Sequence, residues 1–347
     1  MPTSALHRLA LIGFGVVGQA LVEIIQHKRS EFEQQYDLKI QIVAVATRSK
    51  GSLYHPDGLD IAKLLPAIQT SGNLAAYPDS TGLSRGWDGG RIAAESNADT
   101  VVEVSYTNLQ TGQPAIDYCR AALRSGKHVV TANKGPLALA YRELAELAHH
   151  YGVELGFEST VMAGTPAIRG GHILKGSAIS EISGIFNGTT NFILTKMEAD
   201  QASFADALAE AQRLGYAEAD PSGDVEGHDA AAKVVILANV LMEADLTLDQ
   251  VATTGISQLT PADITAAQGQ GKRWKLIGRV SRENGRVRAS VAPEMLPLAN
   301  PLAGVSGATN AITYQTDLLG PITLVGPGAG GKETAAGILA DILTIIA

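Results

Sequence analysis

The stretch LGYAEADPSGDVEGHDAAAKVVILANVLM, residues 214–242, crowds Glu218, Asp220, Asp224, Glu226 and Asp229 into twelve positions and follows them with an apolar run that contains Lys233. Asp229 and Lys233 are four residues apart, so a helix sets them on one face. Val234, Ile236 and Leu237 turn much of the rest toward a core. Two readings of this pair stand side by side. A solvated ion pair on a helix surface stabilises by only roughly a few tenths of a kcal/mol. A carboxylate beside a lysine is equally what proton donation requires, with the neighbouring acids suited to a substrate ammonium.

A second set of residues reads as a nucleotide loop. GFGVVG places Gly13, Gly15 and Gly18 in G-x-G-x-x-G spacing, with Phe14, Val16 and Val17 between them, after an apolar run and before a helical pattern. The first glycine permits a tight turn, the second lets a pyrophosphate approach the backbone, and the third allows close helix–strand packing. A glycine spacing alone also occurs in structural turns, so it is the flanking strand and helix that favour dinucleotide binding. The second strand of such folds ends on an acid for the ribose 2′-hydroxyl, whereas here it runs into ATRSKG. Thr47, Arg48, Ser49 and Lys50 offer donors and positive charge, which favours NADP over NAD; a solvated basic turn is the plainer reading. In VVTANKGPLA, Lys134 falls between strand and helix, where strand ends face the ligand and the helix macrodipole disfavours a cation. An ordinary loop lysine would look the same. GFESTVMAGTPAI (156–168) and GIFNGTTNFIL (184–194) add small residues at two further turns, which loop geometry alone also explains.

These loops need elements to hold them. Apolar, β-branched runs at 8–13, 40–47, 98–105 and 127–133 alternate with helical patterns at 16–35, 112–125 and 136–151. That alternation predicts an α/β fold, a Rossmann-like doubly wound parallel sheet over residues 1–151. From 176 the character changes. GSAISEISGIFNGTTNFIL and LIGRVSRENGRVRASVAPEML alternate, and ENGR signals a hairpin turn. With helices at 188–199, 203–214 and 224–243, these runs predict a second, α+β substrate domain over 152–325, the chain returning to the first domain at 326–347.

Composition narrows the function classes. The net charge is −8 with Lys and Arg scattered, which argues against nucleic acid. No apolar segment reaches membrane length, so no membrane partner is expected. The lone Cys119 excludes an internal disulfide framework and a cysteine zinc site, and its helical setting reads as a buried structural thiol. Three glycines interrupt the N-terminal apolar stretch, which therefore does not read as a signal peptide, and a cytoplasmic chain is expected. In that compartment the formal glycosylation acceptor NGT at 187–189 needs another explanation.

One match points elsewhere. In ITLVGPGAGGKETAAGILADIL, residues 322–343, Gly326, Gly331 and Lys332 fit the phosphate loop of nucleotide hydrolases. Glu333 then stands where a hydroxyl must hold Mg²⁺, and only one helix follows. A second glycine-rich contact with a dinucleotide, through Gly328 and Gly330, suits the position better.

Together these segments resemble homoserine dehydrogenase. TANKGPLA, FESTVMAG, GIFNGTTNFIL, LGYAEADPSGDVEGHDAAAK and GAGGKETA occur in that family's order and spacing, from one end of the chain to the other. The resemblance implies NAD(P)-dependent interconversion of L-homoserine and L-aspartate 4-semialdehyde, toward threonine, methionine and isoleucine. It implies that Lys233 is the proton donor with Asp229 one helical turn before it, and that Lys134 lies near nicotinamide and substrate hydroxyl. It makes Thr107 a cofactor contact, and Glu218, with Asp220, Asp224 and Thr189, the holders of the substrate. Glu158, Val161, Ala163 and Thr165 correspond to oxygen ligands of a monovalent cation, sodium or potassium, and the NGT match becomes a substrate turn. A homodimer through the second domain's sheet is implied, so that domain serves substrate binding and dimerisation. The chain ends at Ala347, after its terminal helix, so feedback inhibition through a regulatory domain is not expected. A related amino-acid dehydrogenase and a non-catalytic dinucleotide-binding protein are the alternatives, and the paired Asp229 and Lys233 argue against the second.

Overall fold

The computed structural model describes residues 5–346 and divides into two compact units, Met1–Gly164 with Gly330–Ala347, and Thr165–Ala329. The first unit is built on a seven-stranded sheet of β1 (Ala5–Ile12), β2 (Leu38–Ala46), β3 (Ser52–Tyr54), β4 (Ser84–Arg85), β5 (Thr100–Glu103), β6 (His128–Thr131) and β7 (Leu155–Gly156). Its order is β4-β3-β2-β1-β5-β6-β7. Strands β2, β1, β5, β6 and β7 are mutually parallel and need crossovers, which the intervening helices supply. Leu9, Ala10, Leu11 and Ile12 are all buried, the continuous apolar run of a strand covered on both faces. Leu9 and Leu11 join Leu21, Ile25, Ile338 and Ile342 on one face; Ala10 and Ile12 join Cys119, Leu123 and Leu144 on the other. The sheet is thus doubly wound, and Cys119 is a buried core thiol.

Three sequence expectations change here. At one edge the sheet is antiparallel, because β2 turns back into β3 through a tight turn at 47–51. Thr47 Oγ1 donates to the Gly51 carbonyl at 2.7 Å and accepts from the Lys50 N–H at 2.8 Å, so this hydroxyl is spent on the turn. The helical pattern at 16–35 is two helices, Val16–His27 and Arg29–Tyr36. The first unit also runs on past 151, since β7 pairs with β6, and it regains the chain at Gly330 rather than 326.

The second unit holds a six-stranded sheet of β8 (Ile179–Ile185), β9 (Ala252–Thr253), β10 (Lys272–Glu283), β11 (Arg286–Pro297), β12 (Thr309–Thr316) and β13 (Gly320–Pro327), ordered β13-β12-β8-β10-β11-β9. All pairs but β9–β11 are antiparallel. The β10–β11 hairpin closes on Asn284 and Gly285, with φ of 50° and 78°, as a two-residue turn between twisted strands demands. The helices Gly188–Asp200 and His228–Leu241 pack on β10, with β12 and β11 respectively. The latter helix comes close because Gly278 of β10 has no side chain: a Cβ there would lie 2.6 Å from both Phe186 and Val234.

Beneath these helices Lys275 of β10 is 2 % exposed. Its Nζ donates to Asn191 Oδ1 at 3.0 Å and to the Val305 carbonyl. Asn191 donates in turn to the carbonyls of Gly307 and Thr309, tying helix Gly188–Asp200 to the loop that enters β12. Burial lowers the Lys275 pKa to about 8, opposed by Glu198 and aided by Arg273. Between that value and the ordinary lysine value the unfolded chain binds the extra proton, so this residue's contribution rises with pH across the window. The stability of the wild type relative to Lys275→Met should therefore rise as pH goes from 8 toward 10.5. Urea titrations across that range check it; a pH-independent gap would refute the assignment.

Candidate active site

In the first unit the loop after β1 is shaped by its glycines. Gly13 sits at φ +105°, and a Cβ there would lie 2.3 Å from the Val104 carbonyl. A Cβ on Gly18 would lie 2.7 Å from the Gly13 carbonyl, so this glycine lets the helix Val16–His27 start against the turn. Gly15 differs, with nothing within 4 Å of its would-be Cβ. It caps the helix and leaves its face open, as approach of a pyrophosphate to the helix N-terminus requires. Val16 is exposed and Val17 half-buried, whereas Phe14 is 2 % exposed, so its side chain belongs to the core and only its backbone faces outward chemistry. Arg48, Ser49 and Lys50 project from the tip of the 47–51 turn.

The ends of β5 and β6 are joined by a buried network. Glu103, last residue of β5, is fully buried. Its Oε1 accepts from the Ser105 N–H at 2.9 Å, and its Oε2 lies 3.2 Å from Thr131 Oγ1. The Thr131 hydroxyl donates to the Glu103 carbonyl at 2.8 Å and accepts from the Asn133 N–H at 3.0 Å. Asn133 caps the helix Lys134–Tyr151 by accepting from the Gly135 N–H at 3.1 Å. Thr107 follows Ser105 on one side of this network, and Lys134 follows Asn133 on the other. Burial pushes the Glu103 carboxyl above the usual carboxylate range, against hydrogen bonds from Ser105, Thr131 and Asn133.

In the second unit the acid-rich stretch folds around Lys233. The predicted helix 224–243 is broken: Gly227, at φ +86°, separates Ser222–Val225 from His228–Leu241. Lys233 is 7 % exposed on a helix otherwise buried from Ala230 to Ala238, so the surface ion-pair reading falls away. Its Nζ meets Asp229 Oδ2 at 2.7 Å and donates to the Phe186 carbonyl at 2.6 Å. Asn187 Nδ2 bridges Asp224 Oδ1 at 2.6 Å and Asp229 Oδ2 at 3.1 Å. The Asn187 Oδ1 caps the helix Gly188–Asp200 from the Thr190 N–H, and Thr189 Oγ1 donates to the Tyr216 carbonyl at 2.6 Å. Burial raises the Asp224 pKa, opposed by the Asn187 hydrogen bond and aided by Asp229. Of the predicted substrate residues, Thr189 lies at the start of the helix Gly188–Asp200, Asp229 and Lys233 on the helix His228–Leu241 and Asp224 on the short helix before it, while Glu218 and Asp220 lie on the exposed turn that precedes them. Asp220 accepts from the Ser222 N–H at 3.1 Å, and its hydrogen bonds with Ser222 hold its carboxyl below the usual range. Asn187 was visible in sequence only as part of NGT, and Glu103 only as an acid inside an apolar strand.

Glu158, Val161 and Ala163 are buried around the one-turn helix Ser159–Met162, with Ala163 at φ 49° and ψ −118°; Thr165, also buried, opens the second unit. Among the described residues no three His, Cys, Asp or Glu side chains converge as on a transition metal. The hydrolase match dissolves: β13 pairs antiparallel with β12 in the second sheet, whereas the helix Gly331–Ile346 lies in the first unit. Gly330 sits at φ +126° and Lys332 is exposed on that helix's first turn.

Two family models cover the chain, the homoserine dehydrogenase NAD-binding domain over residues 13–158 and homoserine dehydrogenase over 166–343. The chain belongs to the homoserine dehydrogenase family. It is 44 % identical to an NAD(+)-dependent homoserine dehydrogenase of Pseudomonas canavaninivorans, over 98 % of this chain and 96 % of that protein. The homoserine dehydrogenase of Methanocaldococcus jannaschii is 40 % identical over 97 % and 98 %. Among solved structures, a hyperthermophilic archaeal homoserine dehydrogenase in complex with NADPH superposes with a TM-score of 0.84 at 31 % identity, covering 98 % of both chains. The enzyme of Thiobacillus denitrificans also gives 0.84 at 34 %, covering 99 % of this chain and 73 % of that one. The chain is therefore an NAD(P)-dependent oxidoreductase acting on a CH–OH group, interconverting L-homoserine and L-aspartate 4-semialdehyde.

The two glycines of its nucleotide loop should separate in their effects. Gly13→Ala collides with backbone at a left-handed φ and should lose about 2–4 kcal/mol of stability. Gly15→Ala should melt with the wild type, yet bind NAD(P)H at least about tenfold more weakly, because its methyl occupies the open face. Thermal melts and fluorescence titrations distinguish them; unchanged cofactor affinity in Gly15→Ala would reject the placement.

Proposed function

We propose that Lys233 donates the proton to the aldehyde oxygen of L-aspartate 4-semialdehyde and, in reverse, takes the hydroxyl proton of L-homoserine. The observation that carries this reading is the buried ammonium held by Asp229 Oδ2 at 2.7 Å and the Phe186 carbonyl at 2.6 Å. An ammonium so held stays charged and fixed in direction, which is what negative charge developing on the substrate oxygen needs. The nicotinamide, when bound, supplies or accepts the hydride. Asp224 and Glu218, with Asp220 and the Thr189 hydroxyl, take the substrate ammonium, so orientation is set by carboxylates while the proton comes from a separate group. Lys134, at the first turn of its helix, is the second choice for the proton. Cys119 has no part, its thiol being buried and pushed well above its usual range.

Arg48, Ser49 and Lys50 receive the 2′-phosphate, making NADP the preferred cofactor; their exposure at the tip of the turn supports this. The Pseudomonas canavaninivorans relative is named for NAD(+) and the archaeal structure carries NADPH, so both nicotinamides occur among the relatives. The oxygens of Glu158, Val161, Ala163 and Thr165 suit sodium or potassium: a buried carboxylate brings charge, and a one-turn helix leaves terminal carbonyls short of intrahelical donors. Such a cation would fix the backbone of 158–165. Exposed Met295, Leu298, Leu318, Leu319 and Val325 on the second sheet and its turns favour a homodimer there. Among the described residues no helix is long and apolar enough to cross a membrane.

Lys233→Ala should lower kcat by about 10²–10⁴-fold while leaving the NADPH dissociation constant unchanged. Steady-state rates on homoserine with a parallel binding titration read both, and retained turnover would shift the proton to Lys134. Replacing Arg48 and Lys50 together by Ala should raise KM for NADP by about ten- to a hundredfold and leave KM for NAD as it is. Initial rates with the two cofactors side by side decide this, and equal losses for both would remove the 2′-phosphate from that turn.

A further inference from the structure

We propose that the C-terminal helix Gly331–Ile346 is the platform that shapes the cation loop, with Asp341 as its positioning residue. The role rests on the cation reading above and deepens it. Residues Thr334, Gly337 and Asp341 are spaced i, i+3, i+7 and therefore lie along one face of that helix. All three meet the segment that carries the proposed ligands. The Glu158 N–H donates to Asp341 Oδ2 at 2.9 Å, and Ser159 Oγ donates to the Thr334 carbonyl at 2.8 Å. Between these two bonds stands Gly337, where a Cβ would overlap Ser159 Oγ and lie 2.7 Å from the Ala163 carbonyl oxygen. The loop brings glycines of its own. A Cβ on Gly156 would lie 2.8 Å from the Asp341 Cβ, and one on Gly164 would lie 2.5 Å from the Glu333 carbonyl oxygen.

The loop does not hold this shape by itself. Its helix Ser159–Met162 is a single turn, and a lone turn returns little against the entropy of forming it. Ala163 then takes φ 49° with ψ −118°, a conformation that an alanine keeps only where its surroundings impose it. Those surroundings are the helix face. Glycine weakens a helix interior, yet Gly337 stands buried inside this one, at the point where the Ala163 carbonyl comes closest. Asp341 is 6 % exposed, and a carboxylate taken out of water needs donors, of which the Glu158 N–H is one. A neighbouring face of the same helix is fixed in the core, where Ile338 and Ile342 join Leu21 and Ile25 of the helix Val16–His27. The platform is thus anchored independently of the loop laid on it. The backbone that presents the oxygens of Glu158, Val161 and Ala163 is set by bonds to residues 183 and 175 positions away in the chain.

Thermal melts of the whole chain in sodium or potassium chloride, against choline chloride at equal ionic strength, test this. They read the cation through its stabilisation of the folded state and give a midpoint concentration without any turnover. Asp341→Ala should raise that midpoint about ten- to a hundredfold, as for one lost hydrogen bond to a carboxylate. Asp341→Asn keeps an oxygen within reach of the Glu158 N–H and should stay within about threefold of the wild type. Gly337→Ala should raise the midpoint at least about tenfold by displacing the Ala163 carbonyl, although alanine suits a helix better. Ser159→Ala removes one neutral bond, should raise it about two- to tenfold, and decides the matter where the other variants do not fold. A wild-type midpoint in folded Asp341→Ala or Ser159→Ala overturns the proposal alone. So does an Asp341→Asn midpoint shifted as far as that of Asp341→Ala, which would make the charge and not the bond decisive. If neither sodium nor potassium moves the wild-type melt beyond choline, the cation reading falls and the platform's role with it.

Discussion

An ammonium group taken out of water must be met by oxygen atoms, because its desolvation costs more than any single hydrogen bond returns. The helix His228–Leu241 is apolar almost all round, and Lys233 is its one buried cation. Much of the second unit's site answers that demand. Asp229 stands one turn earlier, where the helix start also favours a carboxylate. The carbonyl of Phe186 comes within reach because its ring lies over two glycines, Gly184 and Gly278, paired across β8 and β10. Asn187 then holds Asp229 and Asp224 together, and the same side chain starts the helix Gly188–Asp200.

Lysine occurs twice inside this unit, under opposite conditions. Lys233 is paired with a carboxylate, whereas Lys275 meets an amide oxygen and a carbonyl, and burial lowers its pKa. The contrast separates a lysine that meets a carboxylate from one that braces a loop. Both act on the helix Gly188–Asp200, Lys275 through Asn191 and Lys233 through the strand end that precedes Asn187.

What the sequence revealed was whatever chain neighbours decide. The G-x-G-x-x-G turn, the Asn284–Gly285 hairpin and the i, i+4 spacing of Asp229 and Lys233 are local, and each was legible. The antiparallel edge at β3 was not, because ATRSKG looks basic before it looks like a turn; only the bonds of Thr47 show the hydroxyl turned inward. Burial of the Asp229–Lys233 pair was equally hidden, since it depends on Gly278, in a strand far along the chain. The bridging amide of Asn187 lies more than thirty positions before both of the carboxylates it joins, a relation that no spacing rule encodes.

The left-handed Gly227 has a consequence for how such an enzyme changes substrate. It is a joint between the helix that holds Lys233 and an exposed turn that carries Glu218 and Asp220. Lengthening or rewriting that turn need not rotate the helix, because the joint absorbs the change in direction. With the roles proposed above for Glu218, Asp220 and Lys233, selectivity for the amino acid and competence for proton transfer would vary independently, in one short span of sequence.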